Sequence, residues 1–263
     1  MAHDVEGELY SSKLIRMLEI VWGDGYLSPG GPDEVDRVLA GLPMAGASVL
    51  DIGCGAGGLD IHLVQKHRAG FVTAIDVEDT VLAAARSKIT AAGLGHQIGF
   101  AKVSPGPLPF PPACFDIVFS KDAIVHISDK DSLAREVHRV LRPGGWFAAS
   151  DWLIGHDGEP SPAMAAYIAA EGLDFGMASP ARYRAALEGA GFVDIAITNR
   201  NEWYRQQARR EVAAMKGPLY AAAAAELGQD FVDHNIAIWE RMLTVLDSGE
   251  HCPTHIRARR PAE

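Results

Sequence analysis

The sequence predicts an α/β fold with a mostly parallel central sheet and a helical insertion after the fifth strand. Three observations carry this prediction. From about Gly46 short β-branched runs alternate with helical stretches, the pattern of βαβ units. The first of these runs leads into a glycine-rich turn. Past Trp152 the alternation gives way to helical periodicity, interrupted by one further strand-like run.

Taken in order, ASVLDI is the first strand and LDIHLVQKHR the helix after the glycine turn. FVTAID is the second strand, followed by the Ala-rich helix DTVLAAARSKITAAGL, which ends at glycine stop signals. QIGFAKV and FDIVFS are strands three and four. SLAREVHRVL has apolar residues at helical spacing, RPGG ends it, and WFAASDW is the fifth strand. GHDGEPSP is a loop, PAMAAYIAAEGL and SPARYRAALEGAGF are helices, and FVDIAITN resumes a strand. Residues 202–247 are helical throughout, including the strong helix-forming run Ala221 to Ala225. HIRARRP fits either a closing edge strand or a solvated tail.

Composition narrows the function. The 263 residues are 48% hydrophobic with a formal net charge of -10, and the only Lys/Arg block is the terminal RARR. Such a chain buries a real core but presents no surface for a phosphate backbone, so nucleic acid is not expected as a partner. No apolar run approaches the ~18 residues that span a bilayer, and the first residues lack a leader pattern. A soluble cytoplasmic protein with no membrane partner is the expectation. Cys54, Cys114 and Cys252 are an odd, widely spaced set, read as reduced thiols.

VLDIGCGAGG, residues 49–58, is the most informative stretch. Glycines at 53, 55, 57 and 58 let the backbone approach a ligand where side chains would collide. Asp76, at the end of the second strand, suits a bidentate hydrogen bond to ribose hydroxyls. A nicotinamide dinucleotide fold also uses a glycine loop and a distant acid, so spacing decides. The motif is D-x-G-x-G-x-G with Asp51 inside the strand, and a carboxylate there repels a pyrophosphate. It suits organising the loop and facing a cationic amino-acid moiety.

With VLDIGCGAGG, AID, FDIVFSKDAI and LAREVHRVLRPGG in order, the chain resembles the class I S-adenosylmethionine-dependent methyltransferases over roughly Gly46 to Trp152. The resemblance implies a Rossmann-like fold, S-adenosylmethionine as cofactor and S-adenosylhomocysteine as product. At the adenine end this chain has Ser104 and Pro105 where members of the family often carry an acid.

FSKDAIVHIS delivers Lys121 and Asp122 to the carboxyl edge of the sheet, where ligands sit, and a helical start to AIVHIS would stack His126 over Asp122. A carboxylate so placed orients an imidazole and raises its basicity. YSSKLIRMLEIVWGDGYLSPGG, from Tyr10 to Gly31, resembles the lid of the phosphoethanolamine methyltransferases and their small-amine relatives. That resemblance implies an N-terminal helical lid, a Tyr10–His126 pair that latches it and relays a proton, and Asp122 as the neighbouring acid. It adds Tyr26, Leu27 and Ser28 over the cofactor, beside Asp51, Gly53, Gly55, Asp76, Val77, Ser104, Pro105 and Lys121. The organisation expected is a single methyltransferase domain: lid 1–45, cofactor-binding core 46–152, and substrate-capping helices with closing strands 153–263.

The phosphobase enzymes of that group hold phosphate with tyrosine, arginine and lysine. Here Trp152 and Tyr167 fall at aromatic positions, Glu171 stands where the pattern has arginine, and no lysine follows Lys216. A glutamate repels phosphate, so the expected acceptor is a small amine other than phosphoethanolamine, held by Trp152, Tyr167 and Glu171. Methyl transfer to oxygen or sulfur, and cofactor binding without turnover, remain the alternatives. Arg182, Arg184 and Arg205 suit a carboxylate clamp but have no assigned place. HCPTH makes a weak ligand set, His62 and His67 are read as surface histidines, and no metal is expected.

Overall fold

The computed structural model describes residues 9–263; residues 1–8, which include the start of the expected lid, lie outside them. Among the described residues one seven-stranded sheet has the order β3-β2-β1-β4-β5-β7-β6. Strands β1 (Ser48–Ile52), β2 (Phe71–Asp76), β3 (Ile98–Lys102), β4 (Phe115–Lys121) and β5 (Leu141–Ile154) are parallel; β7 (His251–Arg259) runs antiparallel between β5 and β6 (Val193–Asn199). The chain moves outward from β1 to β3 and then crosses back to β4, so the carboxyl ends of β1 and β4 flank the switch point where such sheets bind ligands.

Both faces of the sheet are covered, which is why its strands read as continuous apolar runs rather than alternating ones. On one face Leu50, Val118 and Phe147 pack with Val137 of α5 (Lys130–Val140) and Leu187 of α7 (Pro180–Gly189). On the other, Val49, Ile117 and Phe119 meet α2 (Gly31–Leu39), α3 (Gly58–Gln65) and α4 (Asp79–Ala91) through Val35, Leu63 and Leu82.

A third apolar cluster is helical. It joins α1 (Ser12–Trp22) to α6 (Pro162–Glu171), α8 (Asn201–Lys216), α9 (Tyr220–Leu227) and α10 (Gln229–Asp247) through Met17, Tyr167, Tyr204 and Trp239. Helices α6 and α7 both start at Ser-Pro: Ser161 and Ser179 accept from the backbone N–H of Met164 and Arg182, and proline fills the first helical position, where no donor is needed.

Two details depart from expectation. HIRARRP is no edge strand; β7 begins at His251 and pairs along both sides. RPGG does not simply separate helix from strand, because Leu141 already pairs with Phe115 while the next partner of β4 is Trp146, so the motif forms an irregularity within β5. Among the described residues no helix is long and apolar enough to cross a membrane.

Candidate active site

The glycine loop after β1 is built for close approach. Gly53 has φ +77°, and a Cβ there would stand 2.2 Å from Cβ of Ala123. Gly58 donates its N–H to the Gly25 carbonyl at 3.0 Å, and a Cβ on Gly58 would stand 2.8 Å from that backbone, so the N-terminal segment lies directly on the loop. Between them opens a cavity of about 700 Å3.

Of the residues expected to hold a cofactor, Tyr10, Tyr26, Leu27, Ser28, Gly53, Gly55, Asp76, Val77, Ser104, Pro105 and Lys121 all line this cavity. Asp51 does not. It is fully buried beneath the loop beside Asp60 of α3, and the two carboxyls hydrogen-bond to each other. Burial pushes Asp51 up to about 7, while burial and the Asp51 charge drive Asp60 well above the carboxylate range. Two carboxyls so placed retain a proton between them. Asp51 therefore sits behind the loop and outside the lining of the cavity.

Asp76 accepts from the N–H groups of Val77 (2.8 Å), Glu78 (3.2 Å) and Gly55 (3.4 Å), which fixes its carboxylate at the end of β2. Burial pushes it up to about 6 against those bonds. Next to it, Glu78 accepts the N–H of Leu9 at 2.8 Å and of Tyr10 at 3.0 Å. Nothing local in the sequence hints at this tether, because the carboxylate holds backbone 68 and 69 residues away.

Lys121 ties the same segment to the sheet. Its ammonium donates to Ser28 Oγ at 2.6 Å, the Pro29 carbonyl at 2.8 Å and Asp122 Oδ2 at 2.8 Å. Asp122, with φ +55°, also accepts from Ser150 Oγ at 2.8 Å. Its two oxygens thus go to Lys121 and Ser150, and the expected stacking of His126 on Asp122 is replaced by a 3-10 turn, Ile124–His126.

His126 packs instead against Tyr10, with ring centroids 6.4 Å apart edge to face, and against Phe175 at 5.5 Å. Burial holds its pKa below the ordinary imidazole value, although the backbone of Leu173 and Asp174 works against this. The turn is clamped from both sides. Asp151 Oδ1 accepts the Val125 N–H at 2.9 Å, and buried Lys130 donates to the Ile124 carbonyl at 2.8 Å and to the Ile127 carbonyl. Tyr183 donates to Asp151 behind them.

A second cavity of about 220 Å3 adjoins the first, and both are lined by Tyr10, Leu27, Ser28 and Asp122. Trp152 and Glu171 line the smaller one. Tyr167 does not; it is fully buried one helical turn from Glu171. Burial pushes Glu171 up to about 7, and the neighbouring Tyr167 hydroxyl opposes this. The remaining wall comes from α1, α10 and the segment Gly172, Leu173 and Phe175 after α6, with Trp22 and Trp239 stacked at 5.8 Å and His234 and Asn235 beside them. Sequence reasoning missed the α10 residues, since a helix of mixed periodicity does not show which turn faces a cavity. Among the described residues lining this cavity there is no lysine or arginine.

Tyr10 is half-buried, and burial followed by the charges of Glu171, Asp76, Glu78 and Asp122 raises its pKa far above that of a free phenol. Its hydroxyl therefore keeps its proton at neutral pH. His251 and His255 of HCPTH serve the framework: His251 lies against the Leu153 carbonyl at 3.3 Å, and His255 pairs with Glu34 at 2.7 Å. Arg182, Arg184 and Arg205 pair with Asp131, Glu188 and Glu202 away from both cavities.

A methyltransferase domain family matches residues 49–145. Phosphoethanolamine N-methyltransferase 1 of Triticum aestivum is 31% identical over 242 residues, 92% of this chain and 47% of that protein. The chain spans about half the length of the curated relatives of this kind that it matches over 92% of its length. Haemonchus contortus phosphoethanolamine N-methyltransferase 2, solved with phosphomonomethylethanolamine and S-adenosylhomocysteine, superposes with a TM-score of 0.89 at 24% identity, covering 97% of this chain and 59% of that one. A putative sarcosine dimethylglycine methyltransferase from Galdieria sulphuraria superposes with a TM-score of 0.80 at 21% identity, covering 95% and 98%. Both superpositions share the fold described above.

Proposed function

We propose that the chain, whose residues 49–145 match a methyltransferase domain family, is a class I S-adenosylmethionine-dependent methyltransferase that methylates the nitrogen of a small amine lacking a phosphate group. The observation behind this reading is the pair of cavities meeting at Tyr10 and Asp122. The larger has a glycine-loop floor and Asp76 at the end of β2; the smaller has Glu171 and aromatic faces, with no lysine or arginine among its described lining residues.

The residues present fit S-adenosylmethionine. Gly53 and Gly55, at φ +77° and +56°, bring bare backbone to the larger cavity, Asp76 offers a carboxylate to ribose hydroxyls, and Ser104 and Pro105, on the same cavity, would meet the adenine. When bound, that cofactor supplies an electrophilic methyl group on a sulfonium.

The chain's own residues do the rest. Tyr26, Leu27 and Ser28 form the lid over the larger cavity, and Lys121 holds it to Asp122, excluding water from the reacting centre. Glu171 attracts a cationic amine, and the rings of Trp152, Trp22 and Trp239 suit its ammonium face. An ammonium has no free lone pair, so a proton leaves before nitrogen attacks. His126, kept neutral by burial, accepts it, and the Tyr10 hydroxyl orients the acceptor as a donor.

The relatives named for phosphoethanolamine bear on the amine half of the substrate. A phosphate needs cationic partners, and the smaller cavity presents Glu171 instead. The test is release of S-adenosylhomocysteine from purified protein with amines, amino acids, thioethers, phenols and phosphobases, alongside calorimetric cofactor binding. Turnover with an unphosphorylated amine, lost in Tyr10→Phe/His126→Ala, supports the reading. Preference for a thioether, phenol or phosphobase refutes the acceptor assignment, and cofactor binding without any turnover favours a non-catalytic role.

A further inference from the structure

We propose that Asp36, His62 and His67 form a binding site for a divalent transition-metal ion of the zinc type, bridging α2 and α3 outside both cavities. His62 lies on α3; the cap residue Lys66 keeps helical geometry, and the His67 N–H reaches the His62 carbonyl at 3.4 Å, which holds the two histidines side by side. The two rings stand edge to face with centroids 5.3 Å apart. Asp36 enters from α2, and its Oδ1 lies 2.7 Å from Nε2 of both histidines. All three ligand atoms lie within 4.8 Å of one another.

The donor set suits the ion. Two imidazole nitrogens and one carboxylate oxygen match zinc in sites that keep a fourth position open, and that position is available to water because Asp36 retains 37% side-chain exposure. The histidines, each 16% exposed, are held well enough to be pre-arranged.

Without metal, one oxygen accepts from two imidazoles, which requires a proton on Nε2 of each ring. An ion replaces both protons with coordinate bonds of about 2.0–2.1 Å, whose tetrahedral edges are about 3.3 Å. The 2.7 Å contacts therefore have to open by about 0.6 Å, within the reach of partly exposed side chains. The bridge would join the helix that follows the Tyr26–Gly30 loop to the helix that follows the glycine loop. Neither helix is otherwise linked to the other by a charged pair among the described contacts.

The test uses the full chain without an affinity tag, stripped with EDTA and freed of chelator. Zinc is titrated by calorimetry, Co2+ is followed by visible absorption, and Tm is read with and without zinc. The expected result is one equivalent bound, a tetrahedral Co2+ band and a raised Tm. His62→Gln and His67→Ala should each weaken binding at least about tenfold, below which a residue contributes no more than an outer-shell group. His96→Ala, at an exposed position away from the cluster, should bind as the parent does. No saturable binding, or undiminished binding in His62→Gln and His67→Ala chains whose metal-free Tm matches the parent, overturns the proposal.

Discussion

Removing the Lys121 ammonium should be among the most damaging single changes at the site. Lys121→Met keeps the length of the side chain but deletes bonds to Ser28, Pro29 and Asp122, in a pair whose side chains are only 2% and 6% exposed. Asp122 then keeps Ser150 but loses its counter-charge. Breaking a buried pair from one side costs about 3–5 kcal/mol. Ser28→Ala removes one bond and leaves the ion pair, so it should cost about 1–3 kcal/mol. Urea denaturation of the apoprotein reads both. If the tether also holds the Tyr26–Pro29 loop over the cofactor, losing even one charge-assisted bond, about 1.5–3 kcal/mol, weakens S-adenosylhomocysteine binding at least about tenfold in calorimetry. A Lys121→Met protein within about 1 kcal/mol of the parent, with unchanged cofactor affinity, would refute this reasoning.

Three further outcomes follow from the same geometry. Gly53→Ala places a Cβ 2.2 Å from Ala123 Cβ at φ +77°, so backbone strain and overpacking together should cost about 2–5 kcal/mol in urea denaturation and impair cofactor binding. Asp51, Asp151, Glu171 and Glu211 are each pushed by burial up to about 7, above their unfolded values, so the folded chain binds more protons than the unfolded one just below neutrality. Stability of the apoprotein should therefore rise as pH falls from 8 to 6.5 in thermal unfolding; below 6.5, His126 and His251, both shifted down by burial, oppose the trend. Glu171→Gln keeps the shape but removes the charge, and should lower kcat/KM for an amine about 10- to 150-fold, the worth of one charge-assisted contact.

The cofactor half of the molecule was legible because its signals are local. Strand, glycine turn and terminal acid follow one another within a single βαβ unit, and β1 to β4 lie where their apolar runs placed them. What stayed hidden depends on distant partners. The β7 strand carries His255 and Arg257, whose partners are Glu34 and the carbonyls of Arg37 and Ala40, so its polar residues resemble a solvated tail until those neighbours are known. Asp51 pointed to a ligand because Asp60, nine residues on, gives no sign that its carboxyl turns back beneath the loop. Helical spacing would have joined His126 to Asp122, but Asp122 adopts φ +55° and turns to Lys121 and Ser150. The cage residues of α10 were invisible for the same reason, since only packing on α1 and α6 selects the face that meets Glu171.

The most direct measurement is a one-pot competition. A small amine and its phosphate ester are supplied together at equal concentration with methyl-labelled S-adenosylmethionine, and the products are read by mass spectrometry. Label on the nitrogen of the free amine, in excess over the phosphate ester and diminished in Glu171→Gln, is the predicted result. Label accumulating on the phosphorylated amine, or on oxygen or sulfur of any acceptor in preference to nitrogen, would contradict it.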